Sequence, residues 1–187
     1  MNIQIAQEPA ADAVLSTEPF GLLCGMLLDQ QFPMERAFAG PAKVKERFGT
    51  LDTSRIAAAD PDEFAAMCAV PPVVHRYPKS MAGRIQALAV HVEDEYGGDT
   101  ARLWSEATSG RDLLRRLQAL PGFGKQKSQI FVALLGKQLG VQPEGWREAA
   151  GSYGDEGAYR SVADVVDPDS LERVRSFKKE MKAKSRA

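Results

Sequence analysis

Eight consecutive residues, Leu120-Pro121-Gly122-Phe123-Gly124-Lys125-Gln126-Lys127, place two glycines, a proline and two lysines where one helical pattern ends and another begins. The glycines let the chain reverse tightly with positive backbone dihedrals and leave no side chain in the way of a close approach. A helix starting at such a reversal presents unpaired N–H groups and the positive end of its dipole. That is a ready site for phosphate. Phe123, between the glycines, is expected to pack inward and lock the two helices together. Lys125 and Lys127 add positive charge at the mouth. The plainer alternative is a helical hairpin with a glycine turn and no ligand.

Acids are the other residues able to do chemistry. Asp29 lies in an apolar stripe directly before Gln30-Gln31, where a carboxylate is costly to bury without a partner. It either acts in catalysis or caps and pairs with a neighbouring helix. Glu144, in Gln142-Pro143-Glu144-Gly145-Trp146, stands in a glycine-rich loop, where a solvated acid is the simpler reading. Asp155 and Asp164 have no motif around them.

The elements that must position these groups read as helices. Phe20–Gln31 carries an apolar stripe closed by Pro33, and Met34–Phe48 follows with a break or bend expected at Gly40-Pro41. Thr53–Ala58 is a short helical piece. Asp60-Pro61-Asp62-Glu63 is a helix start, with a capping acid, proline at the first helical position and Glu three residues after the cap. Ser80–Tyr96, Arg111–Leu120, Lys125–Leu139 and Asp169–Lys184 complete the set, with one helical turn expected around Trp146–Ala150. No alternating strand pattern has comparable strength, so the fold class is all-α. The core is expected over residues 20–140, with 1–19 and 141–187 forming a small second subdomain packed on it.

Composition sets bounds. The 187 residues are 44% hydrophobic and 26% charged, ordinary for a globular domain, with a net charge of −1. Seven basic residues stand against two acidic ones from Leu171 to Ala187, a local excess able to hold phosphate, although such a stretch is commonly a solvated helix end. The longest apolar stretch, Phe20–Leu28, is too short to span a bilayer, so no membrane partner is expected. No secretory signal is visible, which makes the cytoplasm the default location. Cys24 and Cys68 read as buried thiols. Two cysteines cannot supply the thiolates of an iron–sulfur cluster, and with only His75 and His91 besides, neither a metal nor another cofactor is expected.

The eight-residue element and two upstream segments resemble the helix-hairpin-helix (HhH-GPD) base-excision DNA glycosylases, typified by endonuclease III, the mismatch adenine glycosylase and the alkyladenine glycosylases. Leu120–Ser128 is similar to their hairpin pattern L-P-G-[IV]-G-x-x-T-A. Leu27-Leu28-Asp29-Gln30-Gln31 resembles L-[LS]-x-Q-Q, and Ser80-Met-Ala-Gly-Arg-Ile85 resembles the family's S-K-A-x-x-I helix. The three occur in the family's order and roughly its spacing.

The resemblance implies two helical subdomains with double-stranded DNA crossing the cleft between them, and a damaged base flipped out of the stack for cleavage of its glycosidic bond. Gln31 takes the position that enters the stack. Leu120, Pro121, Gly122, Phe123, Gly124, Lys125, Gln126 and Lys127 form the DNA-gripping element. The lysine of strand-nicking members falls on Gln126, which cannot form a Schiff base, and Lys125 and Lys127 are expected to point elsewhere and contact phosphate. A monofunctional glycosylase is the reading that follows, acting as a monomer. A non-catalytic protein recognising distorted or abasic DNA is the alternative. The family's catalytic aspartate falls by counting on Glu144, in a segment unlike the family's motif, and Asp29 competes for the role. Trp146, Tyr153 and Tyr77 are candidates to stack on a flipped base, with Trp146 and Tyr77 favoured for the base pocket. The cysteine-rich C-terminal loop of endonuclease III is absent.

Overall fold

Proline and short polar side chains set most of the helix starts. The computed structural model describes residues 2–187, which form α1 (Pro9–Thr17), α2 (Pro19–Leu28), α3 (Met34–Phe48), α4 (Thr53–Ala58), α5 (Pro61–Ala69), α6 (Pro78–Tyr96), α7 (Arg102–Ser105), α8 (Gly110–Gln118), α9 (Lys125–Gln138), α10 (Trp146–Ala150) and α11 (Pro168–Ser185). Two 3-10 turns, Gly151–Gly154 and Val162–Asp164, link α10 to α11, and there is no strand among the described residues. Asp60 accepts from the N–H groups of Asp62 and Glu63, both at 3.0 Å, at the start of α5. Ser109 accepts from Asp112 N–H at 3.0 Å to open α8, and Asp167 accepts from Ser170 N–H at 2.7 Å to open α11. Each such cap satisfies a donor that the helix itself leaves unpaired.

Three departures from the sequence reading have local causes. α2 stops at Leu28 rather than Gln31, because Asp29 leaves the helical region and Gln31 takes a left-handed backbone (φ +52°). The chain stays helical through Gly40-Pro41. A β-carbon at Gly40 would stand 2.6 Å from Leu28 Cδ1, so the glycine lets α3 lie close against α2. Pro9–Thr17 forms a helix that no strong periodic signal announces.

The helices group differently from the division drawn on sequence. α1 packs on α2 and α3, while α4 and α5 pack on α6, so Pro9–Thr17 joins the N-terminal bundle. α10, both 3-10 turns and α11 build outward from α8 and α9. The two halves meet at the hairpin. A β-carbon on Gly122 would lie 2.8 Å from Leu27 Cδ1, which puts the reversal directly against the last turn of α2.

Candidate DNA-binding and base-excision site

The reversal from Ala119 to Gly124 is built by burial below and emptiness above. Leu120 is 3% exposed and Phe123 6% exposed, and the Phe123 ring sits 6.4 Å from that of Phe131 on α9. Both side chains therefore anchor the turn from inside and do not face a ligand. Gly122 adopts φ +82°, which an L side chain rarely does, and Phe123 N–H closes the turn on Leu120 O at 3.2 Å. Above this floor, the N–H groups of Gly122, Gly124, Lys125, Gln126 and Lys127 have no acceptor among the described residues. Gly124, Lys125 and Gln126 are exposed, and a β-carbon on Gly124 would meet nothing within 4 Å. Unpaired donors at an exposed helix start are the arrangement that anions favour.

The adjoining segment, Asp29–Pro33, is held from beneath by a histidine. His75 is fully buried. Its Nδ1 accepts from Tyr77 N–H at 3.0 Å, so Nε2 carries the proton and donates to Gln30 O at 2.9 Å. Burial lowers its pKa, consistent with a neutral ring. Gln30 Nε2 donates to Leu27 O at 2.8 Å, and Arg84 Nη1 to Gln30 Oε1 at 3.3 Å. Gln31 stands next in line, exposed on its left-handed backbone. A non-glycine residue held there costs about 1 kcal/mol or more, a cost carried by the bonds around Gln30.

Asp29 opens this segment, two residues after Leu27, against which the hairpin packs. Protein surrounds its carboxyl densely, yet the residue keeps some solvent contact. Desolvation raises its pKa, while Lys178 and Lys127 act in the opposite sense and Glu35 adds to the rise. Lys127 is not the surface phosphate contact that its neighbours suggested. Its ammonium turns inward, donates to Leu27 O at 2.9 Å and lies 5.8 Å from the centre of the Phe123 ring. One step of about 100° along α9 carries it from the open face to the α2 face. Burial brings its pKa down to about 8 despite the favourable charge of Asp29. Glu35, on α3, is bound through one oxygen to Arg175 of α11, and its other oxygen is buried without a partner.

Gln126 faces the other way. Its Nε2 donates to the Tyr153 hydroxyl at 2.9 Å, at the rim of a cavity of about 410 Å³. Ile130, one turn along α9, and Phe177 and Met181 of α11 supply the apolar walls. Arg160 and Lys178 supply positive charge, with Arg160 3.3 Å from Asp155. Lys178, which lines this cavity, also acts on Asp29 through its charge.

Other sequence candidates lie elsewhere. Glu144 is exposed and its carbonyl accepts from Gly110 N–H at 2.7 Å, at the start of α8. α10 runs back along α9, with Trp146 against Gly136, Ala149 O near Gln129 and Tyr153 at Gln126. Glu144 is thus about 15 Å along α9 from the hairpin, counting ten residues at 1.5 Å each. Trp146 is 8% exposed, packed on Gly136 and under the Arg147 guanidinium at 4.5 Å, and is a core residue. Tyr77 is 44% exposed, on the loop before α6, 6.0 Å from the His75 ring. Among the stacking candidates, Tyr153 is the one that meets the hairpin helix, at Gln126.

What sequence reading missed came mostly from α11. Helical spacing places Gln126 and Ile130 on one face, but nothing in the sequence ties that face to Phe177, Lys178 or Met181, some 50 residues away. The basic C-terminal stretch was the available signal, and it gave a charge without an address.

The sequence profile of the HhH-GPD superfamily base excision DNA repair proteins matches residues 24–187. The chain belongs to that family, and it is a base-excision DNA repair protein whose partner is DNA. No curated protein and no solved structure matches it.

Proposed function

Starting from that membership, we propose that the chain is a monofunctional DNA glycosylase acting as a monomer on duplex DNA in the cytoplasm. The observation that carries this reading is Asp29, a desolvated carboxyl beside a hairpin whose amide donors are free. The free N–H groups from Gly122 to Gln126 would hold the phosphates flanking a lesion, with Lys125 adding charge. Gln31, exposed three residues after α2, would fill the gap left by a flipped nucleotide, and the cavity beside Gln126 would receive its base. Asp29 would then stabilise the cationic sugar as the glycosidic bond breaks, or take a proton from the attacking water. Desolvation makes its carboxylate a stronger base, and the charges of Lys127 and Lys178 oppose part of that rise.

Two placements support cleavage of the base without nicking of the strand. Position 126 is a glutamine already engaged with Tyr153, and the Lys127 amine is bound to the Leu27 carbonyl beneath the turn. A second reading, a non-catalytic protein that recognises distorted or abasic DNA, draws support from the flanking of Asp29 by two lysines, which a structural ion cluster would also show. Incubation with duplexes carrying deaminated, oxidised, alkylated and mismatched bases, followed by alkaline cleavage, separates the two. Excision lost in Asp29→Asn with duplex binding intact supports the glycosylase. Binding without excision of any base supports the second reading.

A further inference from the structure

We infer that the cavity beside Gln126 selects a neutral base with a lactam edge, a ring N–H next to a carbonyl, and rejects cationic alkylated purines. This inference rests on the glycosylase reading for the identity of the ligand as a base.

The cavity's polar groups define a pattern. Gln126 Nε2 spends one hydrogen on the Tyr153 hydroxyl, leaving a second N–H and Oε1 for a ligand. A side-chain amide so placed matches a lactam edge in two bonds, accepting from the ring N–H and donating to the carbonyl. The Tyr153 hydroxyl, which accepts from Gln126, keeps its own hydrogen to donate. Arg160 and Lys178 donate only, so a base rich in carbonyl oxygens satisfies them and one rich in amino groups does not. Ile130, Phe177 and Met181 cover the faces of a ring.

Charge points the same way. Two cations line the cavity and no acid does, Asp155 bonding Arg160 from outside the lining. A base carrying a positive ring would meet this field directly. The volume, about 410 Å³, accommodates a single- or double-ring base with water to spare. Deamination and oxidation both create lactam edges on neutral bases, and ring alkylation of purines creates cations.

The test uses the full chain and duplexes containing uracil, hypoxanthine or 8-oxoguanine as lactam bases, 7-methylguanine as the cation, and ethenoadenine as a neutral base without a lactam. Single-turnover excision of at least one lactam base should exceed that of both others by about tenfold or more. Gln126→Leu, which keeps the backbone N–H of residue 126, should erase the preference. Affinity is measured in parallel for uncleavable 2′-fluoro duplexes carrying uracil or ethenoadenine. Faster excision of 7-methylguanine or ethenoadenine overturns the inference and leaves the glycosylase reading standing. No excision, with tighter binding of the uracil analogue that Gln126→Leu abolishes, overturns the glycosylase reading and leaves the pocket assignment standing. Neither excision nor preference overturns both.

Discussion

The two ends of α9 are finished in opposite ways. At its C-terminal end almost every polar group is used. Gln138 Nε2 reaches the carbonyls of Ala163 and Val165 at 3.0 and 3.1 Å, Gln142 Nε2 reaches Gly136 O at 2.9 Å, and Lys137 bonds the buried Asp164 at 2.6 Å. Trp146 closes the end by packing on Gly136. At the N-terminal end no side chain caps the helix, and five consecutive or near-consecutive N–H groups stay open above a buried Phe123. One helix therefore shows both what the fold needs and what it leaves available. Saturation marks the structural end, and unspent donors mark the end proposed to bind DNA.

The same contrast separates mutations that break the fold from those that break function. The largest expected effect is on chemistry: Asp29→Asn should lower single-turnover excision by about 10²–10³-fold while leaving duplex affinity within a few-fold. Its effect on stability has the opposite sign. Burial raises the Asp29 pKa, so the folded chain keeps a proton at pH values where the unfolded chain has lost it, and stability falls as pH rises through that window. Asp29→Asn should thus raise the melting temperature at neutral pH, with no gain below the ordinary carboxylate range. A melting temperature lowered at neutral pH would mean that the lysine pairing outweighs desolvation.

At the saturated end, Lys137→Met removes the partner of a carboxylate that is 4% exposed and should cost about 3 kcal/mol in urea unfolding. Excision per folded molecule should be unchanged. Gly124→Ala reverses that pattern. Its β-carbon meets no protein atom at φ −85°, so stability should stay within about 0.5 kcal/mol, while duplex affinity falls about tenfold because the phosphate can no longer approach. An equal loss of stability and binding would sink the distinction between the two ends. The smallest effect is expected from Lys125→Ala, which should reduce the slope of log affinity against log salt by about one. Lys127→Ala should leave that slope unchanged, its ammonium being turned under the hairpin.

Most of the fold was legible in local chemistry. Asp60-Pro61, Ser109 and the glycines at 122 and 124 announce their helix boundaries because caps and reversals are decided within four residues. α1 was not, since nine residues with a modest apolar face form a helix mainly because α2 and α3 cover it. Of the site, the hairpin and Gln31 were readable as a motif. The choice between the two acids was not: the sequence left Asp29 and Glu144 both open, and α10 doubling back on α9 carries Glu144 away and brings Tyr153 in.

The amino-acid order alone determined the reversal at 120–124, its free donors and the family to which it belongs, because those depend on backbone conformations that only particular residues permit. The tertiary structure decided the direction of Lys127, the isolation of Trp146 and the meeting of Asp29 with Lys178, because each depends on how distant helices stack. A helix fixes the angle between neighbouring side chains, but only its packing partners decide which of those angles opens onto a ligand.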